Sequence, residues 1–184
     1  MGYDVNQISE KVRATLDGCP EIVAALLMGS CSRGEETYFL NDRGERELLS
    51  DYEMLIIVND KMDTELSDKR LKLLACELKE QSSSPCFDME WSYKTVQQMK
   101  KLDKRFIFFE ARESACVIYG NRLATEYFPT ININNLNFCE LNTVLIHRLY
   151  HVLRDCLNTD EHYLQYLIAR NTLDIPTAVL PLCG

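Results

Sequence analysis

Two short polar signals set into apolar runs constrain this chain more than anything else in it. Leu27-Met28-Gly29-Ser30 closes one apolar run, and Asp51-Tyr52-Glu53 opens another that continues Met54-Leu55-Ile56-Ile57-Val58. Ile22 to Met28 has the length of a buried strand, and Asp51 to Val58 reads as a second. Side chains alternate along a strand, so Asp51 and Glu53 face the same way. Two carboxylates side by side repel each other, which costs stability unless a cation lies between them. The hard cation that fits a small oxygen cage, and also accompanies phosphates, is magnesium.

The rest of the chain supplies a frame for those strands. Apolar residues at 5, 8, 12 and 16 predict a helix from Val5 to Leu16, closed by Gly18 and Pro20. Tyr38-Phe39-Leu40 and Glu47-Leu48-Leu49 flank Asn41-Asp42-Arg43-Gly44 and read as a hairpin. Glu65 to Gln81 is helical, and Ser82-Ser83-Ser84-Pro85 is a loop. Cys86 to Tyr93 reads as a third strand, with Asp88 and Glu90 on one face and Phe87, Met89 and Trp91 on the other. Thr95 is placed to cap a helix reaching about Leu102, and Ala115 to Tyr119 is a fourth strand closed by Gly120-Asn121. After Pro129 the character changes. An Asn-rich linker, Ile131 to Asn135, leads into helical patterns at Leu141 to Leu157 and Tyr163 to Leu173, the latter cut by Pro176. The apolar residues from Ala178 to Gly184 have no evident end, so the sequence reads as stopping inside a helical second domain.

Composition narrows the partners. The net charge is −8, and Lys and Arg are scattered apart from Lys100, Lys101, Lys104 and Arg105. A chain that grips long nucleic acid usually carries a basic face, so a small acceptor is the expectation. No apolar run reaches 18 residues, and no membrane span is expected. Met1 to Asn6 lacks the pattern of a secretory signal. The eight cysteines include no C-x-x-C pair, so they read as reduced thiols of a cytoplasmic protein rather than structural zinc ligands. Cys31 beside Ser30 has no His near it in sequence and reads as loop filler. His147 and His151 share a helix face, but no third ligand follows at zinc spacing.

Taken in order, these elements resemble the nucleotidyltransferase superfamily that includes DNA polymerase beta and the aminoglycoside nucleotidyltransferases. Met28-Gly29-Ser30 matches the first part of the family motif, Asp51-Tyr52-Glu53-Met54 the second and Phe87-Asp88-Met89 the third. Ser32-Arg33-Gly34-Glu35 and Val117-Ile118-Tyr119-Gly120 are similar to segments of the small bacterial members. The resemblance covers about residues 5 to 121. One departure is the 20-residue spacer between Ser30 and Asp51, longer than the family's usual one. The hairpin from Tyr38 to Leu49 accounts for the excess as a self-contained loop.

The resemblance implies an α/β (α+β) fold: a small mixed sheet flanked by helices, in a nucleotidyltransferase domain over residues 1–130. A helical segment or part of a domain follows over 137–184. It implies a magnesium-dependent transfer, with manganese as a substitute, of an NMP from an NTP to a hydroxyl of a small-molecule or protein acceptor. In that scheme Asp51 and Glu53 hold metal, and Asp88 holds the catalytic metal and serves as base. Glu90, on the same face as Asp88, is the alternative third carboxylate. Gly29 lets the backbone approach the phosphates, Ser30 seats them with its hydroxyl and N–H, and Arg33 clamps them through its planar fork. Three rival readings stay open. One is protein AMPylation, as in the small antitoxin-like members. Another is a non-catalytic nucleotide-binding or regulatory module, and the third is cyclic or oligonucleotide synthesis from NTPs alone.

Overall fold

The structure is a computed structural model, and it describes residues 3–60, 64–82, 84, 87–132, 138–155, 164 and 168. In chain order the elements are α1 (Val5–Leu16), β1 (Ile22–Leu27), α2 (Gly29–Arg33), β2 (Tyr38–Leu40), β3 (Arg46–Leu48) and β4 (Tyr52–Val58). Then come α3 (Glu65–Gln81), β5 (Met89–Thr95), α4 (Val96–Met99), α5 (Phe106–Ser114), β6 (Cys116–Gly120) and α6 (Phe138–Asp155). A 3-10 turn lies at Ala124–Tyr127. The fold is the mixed α+β arrangement that the resemblance implied.

Four strands form one mixed sheet in the order β5-β4-β1-β6. The β1 strand runs antiparallel to both β4 and β6, while β4 and β5 are parallel. Helices α1 and α3 cover the face that carries Ala25, Leu27, Tyr52, Met54, Ile56 and Val58. They do so with Ile8, Val12 and Leu16 from α1 and Leu71, Leu74 and Leu78 from α3, the positions that helical spacing set on one side. On the opposite face Ala24, Leu26, Leu55 and Ile57 are buried as well. Burial on both faces is the reason β1 and β4 read as unbroken apolar runs rather than alternating ones.

Caps fix where the helices begin. The Asp4 carboxylate accepts from the Gln7 N–H at 2.8 Å, and the Gln7 side chain accepts from the Asp4 N–H at 3.1 Å. This reciprocal box satisfies two donors that the first turn leaves unpaired. Thr95 and Gln98 repeat it at α4, as the sequence predicted for Thr95, but α4 is one turn of four residues and stops at Met99.

Two other elements differ from expectation. Strand β5 begins at Met89, after Phe87 and Asp88, and the Asp88 carboxylate accepts from the Met89 N–H at 3.0 Å. The apolar stretch at Phe106, to which the sequence patterns assigned no element, is the first turn of α5. Cys86, residues 133–135 of the linker and the predicted helix over 163–173 lie outside the described residues, apart from Leu164 and Ile168, both helical. So do residues 178–184.

The chain divides into two compact units. The first comprises Met1–Asp103 and Glu110–Pro129 and contains the sheet. The second comprises Lys104–Phe109 and Thr130–Gly184 and contains α6. Ile146, Leu149, Tyr150 and Leu153 of α6 are exposed. Among the described residues no helix is long and apolar enough to cross a membrane.

The insert between α2 and β4 is a hairpin, as predicted. Tyr38 pairs with Leu48 and Leu40 with Arg46, and the Asn41 side-chain carbonyl accepts from the Arg43 and Glu45 N–H groups, each at 2.9 Å. Its base is clamped by Thr37, whose carbonyl accepts from the Leu49 N–H at 2.8 Å and whose N–H donates to Ser50 Oγ at 2.9 Å. Glu47 is 1% exposed, and accepts from Asn41 Nδ2 at 2.6 Å and Ser82 Oγ at 3.1 Å. Those contacts fasten the hairpin to the end of α3.

One polar contact crosses the main core. The Tyr52 hydroxyl lies 2.6 Å from Ser9 Oγ, and Ser9 donates its single proton to the Val5 carbonyl at 2.8 Å. Tyr52 is therefore the donor to Ser9. Burial holds the phenol far above its usual pKa, against the Ser9 hydrogen bond that lowers it. Tyr52→Phe is expected to cost about 1 kcal/mol, the net worth of one such bond. Urea unfolding of both proteins measures it, and an unchanged midpoint would remove this contact from the stability of the core.

Candidate active site at one end of the sheet

Gly29 and the carboxylates meet where β1 ends and β4 begins. The Met28 N–H donates to the Glu53 carbonyl at 2.9 Å, which holds the start of α2 against β4. Gly29 has φ +67°, a left-handed conformation that side chains resist. A Cβ there would lie 2.6 Å from Glu53 Oε2. The space beside Gly29 is thus the space into which Glu53 points its carboxylate. The Ser32 hydroxyl closes the turn by donating to the Gly29 carbonyl at 2.8 Å. Ser30 follows Gly29 in the first turn of α2 and is partly exposed.

Strand register gathers the other carboxylates. Glu53 lies opposite Glu90 in the parallel β4–β5 pair, and Tyr52 lies opposite Met89. One step earlier, the Tyr52 N–H donates to the Asp88 carbonyl at 2.9 Å. Alternation then sets Asp51, Glu53, Asp88 and Glu90 on one face, the face turned away from Tyr52 and Met54. Asp51 and Glu53 are partly buried; Asp88 and Glu90 are exposed. Among the described residues no three His, Cys, Asp or Glu side chains converge on one point. Adjacent strands lie about 4.8 Å apart and alternate residues along one strand roughly 6.7 Å apart, a spacing that carboxylates on neighbouring positions can bridge around a common ion. The donors are all carboxylate oxygens, the set that magnesium or manganese takes, so these residues fit a divalent cation.

Arg33 ends α2. Its Nε donates to Glu35 at 2.6 Å and its Nη1 to Glu110 of α5 at 3.4 Å. The sequence could suggest Glu35 by proximity, but nothing in it marked Glu110, 77 residues away.

Two further groups lie at this end. Glu36 Oε2 is buried without a hydrogen-bond partner among the described residues, while its other oxygen accepts from the Tyr38 hydroxyl at 3.1 Å. Cys31, buried in α2, donates to the Asp51 carbonyl at 3.4 Å. Burial pushes the Cys31 thiol up to about 12; Glu36, Glu53 and Asp51 push the same way, and a Ser30 hydrogen bond opposes them. This thiol stays protonated at neutral pH and is no nucleophile. Cys19 is buried as well, whereas Cys76, Cys116 and Cys139 are exposed. Iodoacetamide on the native protein at pH 8 is expected to label those three and spare Cys19 and Cys31. Peptide mass mapping reads the result, and labelling of Cys31 as fast as Cys76 would contradict its burial.

Trp91 is core-side, as expected, and its indole N–H donates to Asp68 of α3 at 3.0 Å.

No family model matches the chain, and no curated protein matches it. It is similar to a solved structure described as a toxin-antitoxin with AMP-PNP, at 16% identity and a TM-score of 0.39, over 64% of this chain and 77% of that one. A likeness of that size carries no argument about activity, and the site rests on its own geometry.

Proposed function

We propose that the chain is a nucleotidyltransferase that moves an NMP from an NTP to a hydroxyl of a small-molecule or protein acceptor. The observation that carries this reading is the meeting of Gly29 with Glu53. A left-handed glycine ends one strand, and a carboxylate from the next fills the place of its Cβ. Asp51, Asp88 and Glu90 share that face.

In this reading Asp51 and Glu53 would hold divalent cations, with Asp88 as the third carboxylate. Bound there, magnesium supplies positive charge to the triphosphate and acidifies the acceptor hydroxyl. The chain's own residues do the rest. Gly29 leaves room for the phosphate tail, Ser30 offers it a hydroxyl and an N–H, and Arg33 offers a guanidinium. Asp88 takes the acceptor's proton as its oxygen forms the new bond to the α-phosphorus. The bond between that phosphorus and the bridging oxygen breaks, and pyrophosphate leaves.

The test uses α-labelled ATP, GTP, CTP and UTP with Mg²⁺ and an extract containing small molecules and proteins. Label passed to an acceptor by wild type and not by Asp51→Ala supports transfer, and the labelled fraction identifies the acceptor class. NTP binding without transfer or pyrophosphate, with Mg²⁺ or Mn²⁺, would favour a regulatory module instead.

A further inference from the structure

Arg33 is the cation that the proposed site offers to a triphosphate, and two carboxylates already hold it. The Glu35 contact is local, two residues along the chain, and short at 2.6 Å. The Glu110 contact comes from α5 and is longer, at 3.4 Å. Glu110 is set by its own helix, with its carbonyl accepting from the Ser114 hydroxyl at 2.7 Å. The same stretch of chain touches α2 a second time, where Cys116 Sγ donates to the Ser32 carbonyl at 3.4 Å. An incoming triphosphate meets a chain of net charge −8. At this end of the sheet Asp51, Glu53, Asp88 and Glu90 already share one face. Its phosphate oxygens want the same guanidinium N–H groups that the carboxylates take. The longer, non-local partner is the one that gives way.

We infer that Glu110 is an internal competitor of the triphosphate for Arg33, and so sets the affinity of the site for phosphate-bearing ligands. This rests on the reading of the site as an NTP site. The Arg33–Glu110 pair is partly solvated, with side chains 28% and 32% exposed. Pairs of this kind are worth little individually, so the expected effect is moderate.

The experiment is a double-mutant cycle read by calorimetric binding of each of the four NTPs with Mg²⁺, and of adenosine, to the full chain. Glu110→Gln is expected to bind its NTP about two- to five-fold more tightly than wild type, the range one exposed ion pair supports. Adenosine, which lacks phosphate, should be unaffected. In an Arg33→Ala background the Glu110→Gln gain should vanish, and in wild-type background it should shrink as salt rises. Glu110→Asp, whose shorter side chain draws the carboxylate back from a contact already long, gives a second variant if Glu110→Gln fails to fold. A gain that persists without Arg33, or that extends to adenosine, overturns the inference. So does an unchanged affinity while wild type binds NTP, and the reading of the site then stands. No binding of any NTP by wild type overturns that reading and this inference with it.

Discussion

Asp51→Asn and Glu53→Gln are each expected to lower kcat/KM for nucleotidyl transfer by about 10²–10³-fold, the range typical of losing one charge-stabilising group at a reacting phosphorus or carbon centre. Neither should lower the melting temperature. Both substitutions keep the shape of the side chain and remove its charge. Glu53 lies directly opposite Glu90, and like charges facing each other across strands cost roughly 0.2–1 kcal/mol. Asp51 touches Cys31 through its backbone carbonyl, which Asn retains. On the proposed reading, a carboxylate in such company is a stability cost accepted for function, and removing it trades the one for the other. The same pair of measurements resolves the third carboxylate. Asp88→Asn should resemble Asp51→Asn in activity, whereas Glu90→Gln should leave most of it. Full activity in Asp51→Asn would end the reading of Asp51 as a metal ligand of the reaction. A fall of several degrees in melting temperature, with activity lost in proportion, would make these residues structural.

The parts of the fold legible in the sequence are those whose causes are local. Val5 to Leu16 and Glu65 to Gln81 were read to the residue because each places its apolar residues on one helical face, and α1 also carries its own capping box. The hairpin was legible from Asn41 to Gly44, a turn held together by one side chain. Strand β5 was misplaced at its start because the alternation of apolar and polar residues runs on through Phe87 and Asp88, which precede the strand. Four consecutive apolar letters from Phe106 to Phe109 carry no period, and so did not announce α5.

At the candidate site the division is the same. Alternation set Asp51 with Glu53 and Asp88 with Glu90, and the parallel register of β4 and β5 brings the two pairs side by side. Glu110 on Arg33, and Glu36 near Cys31, depend on approaches between elements that no local pattern encodes.

Gly120→Ala is expected to destabilise the protein by about 3 kcal/mol, the sum of a strained left-handed residue and a clash with a packed neighbour. At this chain length that corresponds to a melting temperature lower by roughly 10 °C. Gly120 closes β6 with φ +80°, and a Cβ there would lie 2.2 Å from the Val23 carbonyl oxygen and 2.9 Å from Ala24 Cα. Those atoms are backbone of β1, and the same Val23 carbonyl accepts from the Asn121 N–H at 2.9 Å. Relief of the clash therefore means parting β6 from β1. Gly34 is the control, since it has φ +70° and nothing within 4 Å of its Cβ position. Gly34→Ala should cost only about 1–2 kcal/mol for the backbone conformation. Gly29 falls between them. Its φ is +67°, but the atom in the way belongs to the mobile end of Glu53. Gly29→Ala should therefore unfold near Gly34→Ala in urea, yet lose NTP affinity and transfer, because Glu53 must swing out of its place to make room. Equal stability losses at Gly120 and Gly34 would show that β6 does not approach β1 this closely. A Gly29→Ala protein that kept full transfer would separate that glycine from the chemistry, since the carboxylate it displaces is the one the proposed reaction depends on.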